Sequence, residues 1–335
     1  MSQHAILQVE DLRKYFPVEK SFLEKLLTRT RSFVKAVDGV SFSVRKGEVF
    51  TLAGESGCGK TTTGRVILRL IPPTSGRVLF NSVEVTKLKA EALRLLRRKM
   101  QIIFQDPYAS FNPRMKIEDA VGHPLEIHRL AHGKEKRDEV LAVLRRVGLT
   151  PPEQFLDLYP HQLSGGQRQR AAIARALILE PEFIVADEPV SMIDVSLRTT
   201  IIDLMLNLRK ELGLTYLFIT HDLAVAKYIS DRIAIMYLGK IAEMGEKEEI
   251  FSNPTHPYTQ ALLSAIPIPN PERRRKITEL KGEVPSAINI PSGCRFHQRC
   301  PAAKDKCKEI EPDLVQVGKD HFVACHLETR ENDVD

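Results

Sequence analysis

Cysteine is scarce in this chain and unevenly spread. Of 335 residues five are cysteine, and only Cys58 precedes residue 290; Cys294, Cys300, Cys307 and Cys325 lie beyond it. In a reducing compartment, thiols gathered this way are more often ligands than disulfides. Long apolar runs are also missing. None approaches the ~20 residues needed to cross a bilayer, which excludes a helical membrane span. The opening "MSQHAILQVEDLRK" lacks the basic-then-apolar design of a secretory signal, so a cytoplasmic protein is the expectation. The chain shows no internal repeat, no low-complexity tract and no sustained heptads.

What is present is an ordinary globular balance. Hydrophobic residues make up 43% and charged residues 27%, enough apolar material for one large domain with an appendage, or for two domains. The net charge is +6, but its basic clusters, "LRLLRRK" (93–99), "RQR" (168–170) and "ERRRK" (272–276), are separate. They read as solvated helix faces in preference to a nucleic-acid groove, and nucleic acid is not expected as a partner.

Along the chain, "VDGVSFSVRKGEVFTLA" (37–53) has the pattern of two strands joined by a turn, the second buried and running into "GESGCGKT". "TTGRVILRLI" (62–71) has helical spacing and "GRVLFNSVEV" (76–85) returns to strand. A charged helical region follows at about 117–149. "EFIVADEP" (182–189) and "TYLFITHD" (215–222) read as central parallel strands, alternating with helices at 168–179 and 196–211. This alternation predicts an α/β layered core. "DRIAIMYLGKIAEMG" (231–245) predicts a hairpin turning at Leu238-Gly239-Lys240. The segment 17–35 looks inserted, with a short amphipathic piece at Phe22, Leu23, Leu26 and Leu27. Near 252 the texture turns proline-rich, and a domain boundary is expected there.

Two stretches carry phosphate chemistry. Gly54-Glu55-Ser56-Gly57-Cys58-Gly59-Lys60-Thr61 fits G-x-x-x-x-G-K-[ST], between a strand and a helix. Its glycines allow backbone N–H groups to wrap a β-phosphate, and the following helix aims its positive end there. Lys60 would reach the β/γ-phosphates and the Thr61 hydroxyl would ligate Mg²⁺. Asp187, ending an apolar run, would supply the second Mg²⁺ contact, and Glu188 beside it could orient or deprotonate a water. "LSGGQRQR" (163–170) adds Ser164, Gly165 and Gly166 at a helix N-terminus, a second phosphate-seeking cradle. A capped helix would explain Ser-Gly-Gly alone, but not two such cradles in one chain.

With these residues in place the sequence resembles the ABC transporter ATPases over most of its length. The resemblance implies a P-loop NTPase, an ABC nucleotide-binding domain at 1–252 with a helical subdomain at about 107–165. A small irregular cysteine-bearing domain would follow at 253–335. By position, Gly54–Thr61 resemble Walker A, with Thr62 following, and Gln105 in "IIFQDP" resembles the Q-loop glutamine that joins Thr61 and Asp187 around Mg²⁺. Leu163–Gln167 resemble the signature, and Asp187 with Glu188 resemble Walker B and the catalytic glutamate. His221 resembles the switch histidine, and Asp194 in "SMID" the D-loop aspartate. The adenine-stacking aromatic would be Phe16 in preference to Tyr15.

"PTHPYTQALLSAIP" (254–267) and "GEVPSAINIPSGCRFHQRCP" (282–301) are similar to the C-terminal region of the oligopeptide/dipeptide/nickel importers. "YFPVEK" and "FQDPYASFNPRMKIEDAVGHPLEIH" resemble the second of their paired ATPases. The resemblance implies an ATP-hydrolysing subunit of a peptide importer, peripheral on the cytoplasmic membrane face. Its implied partners are a paralogous ATPase, two transmembrane permeases and an extracellular or periplasmic peptide-binding protein. The two cradles would then serve different nucleotides in a head-to-tail dimer. Alternatives are nickel or other small-solute import by the same machinery, or a non-transport ABC ATPase acting on ribosomes or DNA.

The late cysteines are spaced C-x5-C-x6-C-x17-C, without the C-x2-C pairs usual in structural zinc sites. Four thiolates can hold zinc or a [4Fe–4S] cluster. Related C-terminal regions bear such clusters, so the resemblance implies [4Fe–4S], with a structural role, on Cys294, Cys300, Cys307 and Cys325.

Overall fold

This computed structural model describes residues 5–18, 32–266, 282–283 and 285–327. The strands, in chain order, are β1 (Ala5–Pro17), β2 (Phe33–Arg45), β3 (Val49–Ala53), β4 (Ser75–Phe80), β5 (Val83–Glu84), β6 (Met100–Ile103), β7 (Phe183–Asp187), β8 (Thr215–Thr220), β9 (Arg232–Tyr237), β10 (Lys240–Glu246), β11 (Val315–Gly318) and β12 (His321–Val323). The chain divides into two compact units.

One unit comprises residues 45–49 and 87–219. Its strands β6, β7 and β8 run parallel, with Ile103 opposite Ala186 and Asp187 opposite Ile219. All residues of β7 and β8 are buried, which is why both read as unbroken apolar runs. Three helices, Ile117–Ile127, Gly133–Arg146 and Gly165–Leu177, pack on one another. They bury Val121, Leu125, Val140, Leu144 and Ile173 at helical spacing.

The other unit comprises 5–44, 50–86 and the residues from 220 onward. Here β2, β1, β4 and β5 form one sheet, in which β4 is antiparallel to β1 and to β5. β3 instead runs parallel to β9, and β9 continues through antiparallel β10, β12 and β11. The two strands expected over 37–53 therefore exist but join different sheets, because the Arg45–Val49 turn separates partners instead of pairing them. The expected hairpin is present, with Leu238 and Gly239 at φ 42° and 81° in the left-handed region that two-residue hairpin turns require. Ala53, Ile235, Tyr237, Tyr258, Leu263 and Phe296 share one hydrophobic core, with Cys294 and Cys300 against it.

The amphipathic piece expected at residues 22–27 and the basic cluster 272–276 lie outside the described residues. Among the described residues no helix is long and apolar enough to cross a membrane. The reading of 168–170 as a solvated face needs correction. Arg168 is 1% exposed, donates to the carbonyls of Pro160 (2.7 Å) and Leu163 (2.6 Å), and its guanidinium lies over the Tyr108 ring.

Candidate active site

The P-loop connects β3 to the helix Lys60–Ile67. Two glycines are obligatory by geometry. A Cβ on Gly54 would lie 2.3 Å from the Met236 carbonyl oxygen, and one on Gly59 would lie 2.1 Å from that of Ala36. Both residues also have positive φ, which L side chains resist. Lys60 is buried, and its ammonium donates to the carbonyls of Gly54 (2.8 Å) and Glu55 (2.9 Å). The ammonium is thus held on the loop itself. Gly57 has open space where a side chain would stand, and Ser56 is exposed. Thr61 and Thr62 are half-buried in the first helical turn. Burial pushes the Cys58 thiol up in pKa, so it is a packed small side chain and not a reactive thiolate.

In the same unit, the Tyr15 hydroxyl donates to Asp38 while Phe16 alternates to the other face of β1. Burial, then the bond to Asp38, raises Tyr15 to about 12. Burial opposes ionisation of Asp38, yet hydrogen bonds from Tyr15 and Arg295 hold its carboxyl below the usual range. His221 is exposed just beyond β8, and Asp222 after it caps the helix Leu223–Ile229 through the N–H groups of Ala224 and Val225.

The unit of residues 45–49 and 87–219 carries Asp187 and Glu188. Asp187, 1% exposed, ends β7. Glu188 follows at φ +46°, a left-handed conformation disfavoured for a side-chain-bearing residue. It is over-determined by its neighbours: its N–H donates to Ile219 (2.9 Å), its carbonyl accepts from Ser191, and its carboxylate accepts from Gln105 Nε2 at 2.9 Å. Ser164 caps the helix Gly165–Leu177 in a reciprocal box with Gln167, at 3.2 and 3.0 Å. Ser164 is exposed, and nothing stands within 4 Å of a Cβ built on Gly165. Gly166 instead packs under Leu197. Asp194 is exposed at the start of the helix Val195–Leu212, flanked by exposed Met192 and Val195.

Metal chemistry can be judged from the donors. The Thr61 hydroxyl, the Gln105 amide oxygen and the Asp187 carboxylate are hard oxygen groups that suit Mg²⁺. The late cysteines lie close together. The Cys294 N–H donates to the Cys307 carbonyl (2.8 Å) and the Cys307 sulfur accepts from the Lys304 N–H (3.5 Å). Burial raises the Cys294 thiol to about 11, the Phe296 N–H opposes this, and Cys307, Cys325 and Cys300 add to it. None of the cysteines is in a disulfide. Among the described residues no group of three or more His, Cys, Asp or Glu is arranged to hold a metal ion.

Three positioning residues escape sequence reasoning. Arg168 ties down the signature's lead-in at the Leu163 carbonyl. The Tyr258 hydroxyl accepts from the Glu55 N–H at 3.0 Å. Arg299 grips the Glu55 carboxylate with two nitrogens, at 2.7 and 3.1 Å. Arg299 stands directly before Cys300, and that proximity to a singled-out cysteine is the one signal the sequence offered.

Comparison with known proteins matches this geometry. The ABC transporter family profile matches residues 37–191, and that of the oligopeptide/dipeptide transporter C-terminal region matches 242–307. The chain is similar to the oligopeptide transport ATP-binding protein AppF of Bacillus subtilis, 49% identical over 97% of this chain and 98% of that protein. It is also similar to the dipeptide transport ATP-binding protein DppF of Escherichia coli, 45% identical over 96% and 94% respectively. Among solved structures, the dimeric ATP-binding cassette MJ0796 in a post-hydrolysis state bound to ADP and Pi covers 72% of this chain and 98% of its own, at 29% identity and a TM-score of 0.63. The chain therefore belongs to the ATP-hydrolysing subunits of ABC transporters, in the branch that carries the oligopeptide/dipeptide transporter C-terminal region.

Proposed function

We propose that this chain is the ATPase of a di- or oligopeptide importer and works as a heterodimer with a paralogous ATPase, beneath two permeases on the cytoplasmic membrane face. A peptide-binding protein outside the membrane would deliver the cargo. The relatives' peptide-transport names support the substrate class. The observation that carries the catalytic reading is the strained Glu188, fixed by Gln105. A carboxylate held in a disfavoured backbone conformation by several partners is positioned for chemistry, not for solvation. In this reading Lys60 and the P-loop N–H groups bind the phosphates, and Thr61, Gln105 and Asp187 hold Mg²⁺, which neutralises phosphate charge when bound. Glu188 orients the water and His221 assists it. Phe16 stacks on adenine, since the Tyr15 hydroxyl is committed to Asp38.

The nucleotide-binding domain is assigned to 1–252, with a helical subdomain at about 107–165, and the cysteine-bearing extension to 253–335. The gathering of four cysteines in a polar segment poor in apolar residues supports a structural [4Fe–4S] cluster there, as the cross-link such a segment lacks.

The exposed Ser164 and the open space before Gly165 favour a signature that serves a partner's nucleotide, with Asp194 facing the same partner. The test is assembly. The isolated chain should bind Mg-ATP yet hydrolyse it poorly, and the paralogous subunit should restore turnover. Ser164→Arg should damage the site whose P-loop belongs to the partner. A dilute monomer with full activity would overturn the dimer reading.

A further inference from the structure

The turn that carries Cys294 and Cys300 also carries two arginines that reach the nucleotide-binding elements. Arg299, 7% exposed, clamps the carboxylate of Glu55 through two hydrogen bonds. Arg295, also 7% exposed, donates to Asp38, the carboxylate that receives the Tyr15 hydroxyl, and to the Leu238 carbonyl. Glu55 is the second residue of the P-loop. All three of its polar groups are engaged: the carboxylate by Arg299, the N–H by the Tyr258 hydroxyl, and the carbonyl by Lys60 Nζ.

We propose that Arg299 is a positioning residue for nucleotide binding, acting on the P-loop through Glu55, with Tyr258 as its backbone counterpart. Two physical effects converge. The bidentate grip fixes the loop in the conformation that presents its N–H groups, so a nucleotide need not supply that ordering when it binds. The guanidinium also neutralises a carboxylate in a loop that must accept a polyphosphate, where an uncompensated negative charge would repel it. Glu55 therefore depends on a residue 244 positions away to be tolerated where it stands. The inference rests on the P-loop reading. Failure of that reading would appear in the parental chain itself, as no binding of Mg-ATP.

The experiment is calorimetric titration of Mg-ATP into the full-length chain at low and moderate salt, with melting temperatures as a check on folding. Arg299→Met should raise Kd about tenfold, equivalent to about 1.4 kcal/mol, and more at low salt than at high. Arg299→Lys should recover part of the loss by restoring charge without the fork. The double variant Arg299→Met with Glu55→Gln should bind better than Arg299→Met alone, because the stranded carboxylate is gone. A merely structural role for Arg299 gives no such recovery. Parental affinity in a folded Arg299→Met chain, or strict additivity of the two changes, overturns the proposal. Should Arg299→Met fail to fold, Arg299→Lys and Glu55→Gln decide the matter. The Glu55 side chain is 28% exposed, so its change is mild. Parental affinity in both variants again overturns the proposal.

Discussion

Gln105 Nε2 donates to Glu188 Oε2 at 2.9 Å, joining the second residue after β6 to the first after β7. The parallel pairing of those strands brings their C-terminal ends side by side, so two residues 83 positions apart meet without a loop excursion. The bond orients the carboxylate. Replacing Glu188 by Gln keeps the shape and removes the group able to assist a water. Turnover in the assembled ATPase should fall by the ~10²–10⁴ assigned to a general base, with Mg-ATP affinity retained. Parental hydrolysis by the Gln variant would remove Glu188 from the chemistry.

Arg168 supports a second prediction, about stability. Its guanidinium satisfies the buried carbonyls of Pro160 and Leu163. Arg168→Met fills similar space but strands the Leu163 oxygen, at a cost of about 1–3 kcal/mol, and leaves the Pro160 oxygen with the Leu163 N–H. Denaturant unfolding should show a loss of about 1–3 kcal/mol, and the residual ATPase should fall further because the Ser164 lead-in loosens. A change below about 0.5 kcal/mol, the scale of an ordinary surface substitution, would return Arg168 to the solvated face.

The contrast between these residues explains what the sequence could disclose. The P-loop, Asp187-Glu188 and the Leu163–Gln167 cradle were legible because phosphate chemistry demands fixed residue types at fixed local spacing beside a strand or helix. The buried strands β3, β7 and β8 were legible from unbroken apolar runs. Arg168 was not, because helical periodicity places a side chain on a face without saying what covers that face. Arg299 was not, because its partner Glu55 is remote in sequence and no spacing rule links them. The separation of β2 and β3 into different sheets was likewise a matter of tertiary partners, which a turn signal cannot supply.

His256 gives a pH dependence. It is 3% exposed, its Nδ1 accepts from the Tyr258 N–H, and its own N–H donates to the buried carboxylate of Glu243. Burial pushes the imidazole down from 6.5 to about 4. The unfolded chain therefore binds the proton first as pH falls. The stability in question is fully present above about pH 6.5 and is lost progressively as pH drops toward 4. At pH 5 the loss is on the order of 2 kcal/mol. His256→Asn keeps an N-cap acceptor but cannot titrate, so its melting temperature should fall less between pH 7 and pH 5 than the parent's. Equal slopes in parent and variant would discharge His256 from that role.

The last prediction concerns the thiols and tests the cluster and the P-loop link together. Burial raises the Cys294 and Cys300 thiols, and the neighbouring Cys307 adds to both shifts. Bringing them together as thiolates is unfavourable unless a metal centre compensates the charge. Protein purified without oxygen should be brown, with roughly four irons per chain on the four-thiolate precedent. Cys300→Ser should bleach it and loosen the turn from Phe296 to Cys300. Mg-ATP should still bind, since Lys60, Gly54 and Gly59 lie on a separate loop. Its affinity should nevertheless drop toward that of the Arg299 variants, because Arg299 is the residue immediately before the lost ligand. Colourless protein holding one zinc per chain would replace the iron while keeping the four ligands. A bleached Cys300→Ser chain with parental ATP affinity would show that the thiol centre does not set the position of Arg299.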